Sequence, residues 1–129
     1  MNPSGTRVLV IDDSAEITEL FKAILERQGY EVTTKNSPKD ISGLVQLYKI
    51  DILFLDVILQ SINGKTICKE LKSDPRTNYF PIILMAANPA NLKDYRECDA
   101  DDALEKPFDL AVLTEKISYW TKDGNYEKP

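Results

Sequence analysis

The feature that most constrains this chain is a set of short, wholly apolar runs, each bounded by polar or turn residues. They are Val8-Leu9-Val10-Ile11, Ile52-Leu53-Phe54-Leu55, Ile82-Ile83-Leu84-Met85 and the weaker Ala103-Leu104. Runs this short, without polar alternation, suit strands covered on both faces, as in a parallel sheet. A fifth strand is expected over residues 30–34, where Val32, Thr33 and Thr34 add β-branching but also polarity, which suits an edge. A length of 129 residues accommodates one compact domain with its own core.

Helical patterns lie between the runs. Ile17, Leu20, Phe21, Ile24 and Leu25 form one stripe over residues 15–28, with Ser14 as N-cap and Gly29 just past the end. A second helix is expected to start at Ser37 as cap with Pro38 in its first turn, and to turn Ile41, Leu44, Val45 and Tyr48 inward. Ile67, Cys68 and Leu71 mark a third helix, and the polar stretch 73–78 reads as a loop. Leu110, Leu113, Ile117 and Trp120 mark the last helix. Residues 88–97 hold Pro89 and only Leu92 and Tyr95 as large apolar side chains, so a fourth helix there is short or irregular. Strict alternation of strand and helix gives a doubly wound α/β sheet with right-handed crossovers. The domain is expected over residues 7–121, with residues 1–6 and 122–129 as flexible tails.

Composition removes several chemistries. The chain has no histidine, which excludes Ser-His-Asp and Cys-His catalysis and every His-containing zinc site. A net charge of −5 argues against a nucleic-acid face. Cys68 and Cys98 are not at a metal spacing and read as buried or half-buried thiols of a reducing compartment. No apolar run is long enough for a membrane helix, and residues 1–6 lack the apolar core of a signal peptide. The expected location is cytoplasmic, away from membranes.

In a sheet of this kind ligands bind beyond the carboxyl ends of the strands. Asp12 and Asp13 follow the first strand, Asp56 the third, and Lys106-Pro107 the fifth. One acid at a strand end is most simply a turn or capping residue. Three acids converging with a lysine call for more, because bare carboxylates would repel and raise a pKa. A hard, water-open oxygen cluster favours Mg²⁺. Lys106 adds a second positive charge able to bridge a carboxylate and a phosphoryl oxygen. The set suits phosphoryl transfer onto a carboxylate.

With these residues in view, the sequence resembles the receiver domains of two-component response regulators. The resemblance is carried by Val8 through Ser14, by Leu53-Phe54-Leu55-Asp56 continuing to Asn63-Gly64, by Pro81-Ile82-Ile83, and by Asp101-Asp102 through Lys106-Pro107-Phe108. It spans residues 7–121 and implies a flavodoxin-like five-stranded sheet in the order 2-1-3-4-5. It further implies that Asp56 accepts the phosphoryl group, that Asp13, Asp56 and the Ile58 carbonyl ligate Mg²⁺, and that Asp12 acts mainly through a metal-bound water. Lys106 is expected to pair with Asp56 at rest and with the phosphoryl group afterwards. The implied donor is a phosphohistidine of a sensor histidine kinase or histidine phosphotransfer protein, and the implied readout is contact with a downstream protein. Such a domain is no enzyme beyond its own phosphorylation and dephosphorylation.

Four positions depart from the family pattern. Ala86 stands where the family usually has Ser or Thr, and Ala103 where it often has Tyr or Phe; these side chains normally couple phosphorylation to shape. Gln60 stands at a usual proline and Asp99 at a usual glycine. Two readings therefore stay open: a phosphoacceptor switch, and a receiver-fold interaction module in which phosphorylation has little effect. Two other chemistries fall away. Asn63-Gly64-Lys65-Thr66 lacks the upstream glycine of a P-loop, where Leu59 stands. A haloacid-dehalogenase-type phosphatase would need a second Asp at Ile58. No output domain follows the last helix, so the chain either works alone or is one module of a longer protein.

Overall fold

The computed structural model describes residues 5–121. The major strands, numbered in chain order, are β1 (Arg7–Ile11), β2 (Glu31–Lys35), β3 (Ile52–Asp56), β4 (Ile82–Ala86) and β5 (Asp102–Glu105). They form one parallel sheet in the order β2-β1-β3-β4-β5, as the resemblance implies. The helices are α1 (Ala15–Arg27), α2 (Ile41–Tyr48), α3 (Gly64–Ser73) and α4 (Leu110–Thr121). A two-residue antiparallel ladder joins Ile58–Leu59 to Ile62–Asn63 beside the end of β3.

The apolar runs lack alternation because the sheet is covered twice. Leu9, Ile11, Leu53, Leu55, Ile82 and Leu84 face α2 and α3, meeting Ile41, Val45, Ile67, Cys68 and Leu71. Their neighbours Val8, Val10, Ile52, Phe54, Ile83 and Met85 face α1 and α4, meeting Phe21, Leu25, Leu113 and Ile117. Phe21 stands at the centre of the second layer, its ring 5.3 Å from Phe54 and 4.9 Å from Phe108. Burying a side chain of this size stabilises the fold by about 1.5–3 kcal/mol.

The helix boundaries follow local chemistry. Ser14 caps α1 as expected, its hydroxyl accepting from the Ile17 N–H, and Gly29 follows with φ +93°. The inner stripe of α1 is narrower than its spacing suggests: Leu20 is exposed and Thr18 is buried in its place. The start of α2 differs more. The Ser37 hydroxyl accepts locally from the Lys39 N–H, and the helix begins only at Ile41 after Asp40, which is left-handed at φ +53°. Ser37 thus forms a turn that competes with capping a longer helix, and Tyr48 lies exposed rather than on the inner face.

The fourth helix is replaced by two 3₁₀ turns, Pro89–Leu92 and Tyr95–Cys98, in which only Leu92 and Cys98 are buried. Charge holds this segment against α3. Lys65 pairs with Asp94, Lys69 with Asp99 at 2.8 Å, and Lys72 with Asp101 at 2.7 Å. Thr6, assigned above to a tail, is buried, and its carbonyl accepts from the Glu31 N–H. The other expected tail residues, save Gly5, lie outside the described residues. Among the described residues no helix is long and apolar enough to cross a membrane.

Candidate functional site

The parallel register sets the ends of β1 and β3 side by side, Ile11 opposite Leu55, so the residues that follow share one edge. Asp12 and Asp13 leave β1 there and Asp56 closes β3. One carboxylate oxygen from each of the three lies within 4.8 Å of the others. Asp12 and Asp56 are buried, whereas Asp13 is exposed. The cluster is therefore open to solvent on one side only.

Lys106 arrives from the far side of β4. Its N–H donates to the Ala86 carbonyl at 2.9 Å, anchoring it at the end of that strand, and the Lys106–Pro107 peptide is cis. From there the ammonium crosses to both buried acids, 2.9 Å from Asp12 Oδ2 and 3.5 Å from Asp56 Oδ1. The resting partner is thus shared and lies nearer Asp12, not Asp56 alone. Burial would push the Lys106 ammonium down, but its hydrogen bond to Asp12 and the two carboxylate charges hold it above its ordinary value. Asp56 is pushed up to about 6, first by burial and then by the Asp12 charge, against the opposing pull of Lys106 and the Ile58 N–H.

The oxygens differ in how far they are already engaged. Asp12 Oδ1 accepts from the Ser14 N–H at 2.9 Å while Oδ2 takes Lys106, so both of its oxygens have protein partners. Asp13 Oδ2 accepts from the Gln60 N–H at 2.9 Å. Asp56 Oδ1 accepts from the Ile58 N–H at 3.4 Å, which brings the Ile58 backbone beside the cluster while its side chain stays exposed. This donor set of hard carboxylate oxygens, partly buried and mutually repelling, fits a small divalent cation.

Three residues shape the site without having been singled out for it. Asn36 Nδ2 donates to the Asp12 carbonyl at 2.9 Å and to Thr18 Oγ1 at 3.0 Å, tying the end of β1 to α1. An Asn just past a strand signals only a turn, so this role was not legible. Gly64 begins α3 and is required by space: a Cβ there would sit 2.1 Å from the Asp56 carbonyl oxygen. It is thus a close-approach residue. Gln60 is left-handed at φ +56° while its N–H holds Asp13. A proline could satisfy neither demand, which gives the departure at this position a physical reason. Asp99 likewise keeps a left-handed backbone, φ +67°, where the family usually places glycine.

Comparison with known proteins agrees with this geometry. Residues 8–118 match the family described as response regulator receiver domain. The chain is 31% identical over 120 residues to the response regulator PleD of Caulobacter vibrioides, covering 92% of this chain and 26% of that one. It is 33% identical over 113 residues to the alkaline phosphatase synthesis transcriptional regulatory protein PhoP of Bacillus subtilis, covering 86% of this chain and 46% of that one. It thus spans less than half the length of either relative. Among solved structures, the receiver domain of sensor histidine kinase PA1611 from Pseudomonas aeruginosa, with a magnesium ion in its active site cleft, shares the fold. Its TM-score is 0.81 at 24% identity, over 93% of this chain and 100% of that one. With the motif, the topology and the acid cluster in agreement, the chain belongs to the response regulator receiver domain family of two-component systems.

Proposed function

We propose that this domain is a phosphoacceptor switch in which Asp56 receives a phosphoryl group from a partner's phosphohistidine. The observation that carries the reading is the convergence of Asp12, Asp13 and Asp56 with Lys106, which reaches both buried acids from the end of β5, two places from β3 and three from β1. An Asp56 carboxylate oxygen forms the new P–O bond as the donor's P–N bond breaks and its electron pair returns to the imidazole. Lys106 leans to Asp12 before transfer and would meet the phosphoryl oxygens afterwards, offsetting charge inside a partly dry site. Asp13, Asp56 and the Ile58 carbonyl would hold Mg²⁺, with Asp12 acting through a bound water because its own oxygens are engaged. When bound, the ion supplies positive charge to the phosphoryl oxygens and lowers the repulsion among the acids. The magnesium in the cleft of the PA1611 receiver supports this assignment. The donor is a sensor histidine kinase or a histidine phosphotransfer protein, and the readout is protein contact in the cytoplasm.

One observation favours a second reading, an interaction module whose shape phosphorylation barely changes. Ala86, at the end of β4 beside the Asp56 strand, offers a buried methyl and no hydroxyl to a phosphoryl group. Intact mass after incubation with acetyl phosphate, with and without Mg²⁺, tests the first reading. A Mg²⁺-dependent phosphoryl adduct absent from Asp56→Asn supports it. Lack of an adduct, together with failure to bind beryllofluoride, overturns it in favour of the module.

A further inference from the structure

A second pair of reactive groups lies away from the acid cluster. Cys68, on the buried face of α3, and Cys98, closing the second 3₁₀ turn, are both free thiols. They are distant in sequence, yet Cys68 Sγ donates to the Cys98 carbonyl oxygen at 3.3 Å, while the Cys98 thiol donates to the Tyr95 carbonyl at 3.2 Å. Core packing accounts for two buried cysteines; it does not account for their meeting each other across two elements.

The pair is also asymmetric. Cys68 is fully enclosed, whereas Cys98 lines an open groove of about 400 Å³ whose rim carries Lys65, Lys69, Asp94 and Glu97. The adjacent Cys68 thiol, helped by backbone N–H groups and the Lys65 charge, holds the Cys98 thiol below its ordinary range, at about 7, against the effect of burial. The same neighbourhood, Cys98 first and then burial, raises Cys68. An acidified thiol at the wall of a groove, nearly buried and backed by a fully enclosed one, has the arrangement of an attacked cysteine and its resolving partner.

We propose that Cys68 and Cys98 form a redox pair that closes a reversible intramolecular disulfide when a hydroperoxide enters the groove. The Cys98 thiolate attacks the peroxide, whose O–O bond breaks, leaving Cys98 sulfenic acid and one water from hydrogen peroxide. Cys68 then attacks the Cys98 sulfur, its proton leaves with the hydroxyl as a second water, and the S–S bond forms. Two thiols are oxidised and one peroxide is reduced; a dithiol reverses the change by exchange. The bond would fasten α3 to the segment that Lys65–Asp94 and Lys69–Asp99 already hold by charge. It needs no phosphoryl chemistry at Asp56.

The full chain treated with stoichiometric hydrogen peroxide, then unfolded in a maleimide and weighed intact, tests the proposal. The wild type should lose two hydrogens, take up no label and yield one crosslinked peptide joining residues 68 and 98, and dithiothreitol should restore two labels. Cys68→Ser should instead accumulate a dimedone-trapped Cys98 sulfenic acid; Cys68→Ala serves if the serine variant does not fold. Two labels on the peroxide-treated wild type would overturn the proposal. So would disulfide-linked dimers, or Cys98 sulfinic acid formed without a crosslink.

Discussion

The Lys106 ammonium sits 2.9 Å from Asp12, closer than the 3.5 Å to Asp56, which it also serves. It therefore offsets the charge of two buried acids at once. Replacing it with alanine leaves both uncompensated, and Lys106→Ala should destabilise the fold by about 1.5–3 kcal/mol near neutral pH. The loss should shrink under acid conditions, where Asp56 takes up a proton. Urea midpoints at two pH values check this; a pH-independent loss would contradict it.

Asp56 ionises near pH 6 in the folded protein against an ordinary value of 3.8. Between those values the folded state binds more protons than the unfolded one, so stability falls as pH rises through that window and the penalty is complete above about 6. Asp56→Asn should therefore gain about 1–3 kcal/mol near neutral pH and little near pH 4. Mg²⁺, which needs the ionised form, should bind more weakly as pH drops through about 6. Thermal unfolding across pH, with and without Mg²⁺, reads both effects.

Gly64 packs against the carbonyl of Asp56, and its N–H donates to the Val57 carbonyl at 2.6 Å. Gly64→Ala must push α3 off the end of β3. We expect a loss of about 1–3 kcal/mol, as for overpacking elsewhere, together with slower acceptance of phosphoryl groups. Chemical denaturation and the rate of labelling by acetyl phosphate give the two readouts.

Gln60 combines a left-handed backbone with the N–H that holds Asp13. Gln60→Gly should keep both and be neutral or mildly stabilising. Gln60→Pro removes the donor and forbids the conformation, and should weaken Mg²⁺ binding severalfold. Mg²⁺ titration of both variants separates the backbone effect from the loss of the side chain.

Ala86 ends β4 with a methyl group, and its carbonyl accepts from the Lys106 N–H. Ala86→Thr adds a hydroxyl for the phosphoryl oxygens, a charged hydrogen bond of about 1.5–3 kcal/mol. Chemical-shift changes on adding beryllofluoride should be larger and reach further in the threonine variant. Equal changes in both proteins would show that this position does not limit the response.

The parts of this molecule legible in the sequence were those dictated by local pattern. Val8–Ile11 and Ile52–Leu55 announce strands because both faces of the sheet are covered, and the acids that follow them announce the site because parallel strands end together. Ser14 announces its cap because the hydroxyl acts within one turn. What stayed hidden depends on contacts between distant segments. The late start of α2 follows from Asp40 turning left-handed after the Ser37 turn. The crowding at Gly64, the reach of Asn36 to Asp12 and the meeting of Cys68 with Cys98 all depend on how helices settle against strand ends. The charge ladder from α3 escaped notice for the same reason, since Lys65, Lys69 and Lys72 look like an ordinary solvated face until their partners are placed.

Trp120 near the end of α4 donates its indole N–H to Asp102 at 3.0 Å, and Lys116 joins the same carboxylate oxygen at 2.9 Å. Asp102 opens β5, the strand that ends at Glu105, just before Lys106. The chain contains a single tryptophan. Its emission therefore reports on the footing of the strand that delivers the site's lysine, and the protein carries an optical gauge of its own state that needs no label.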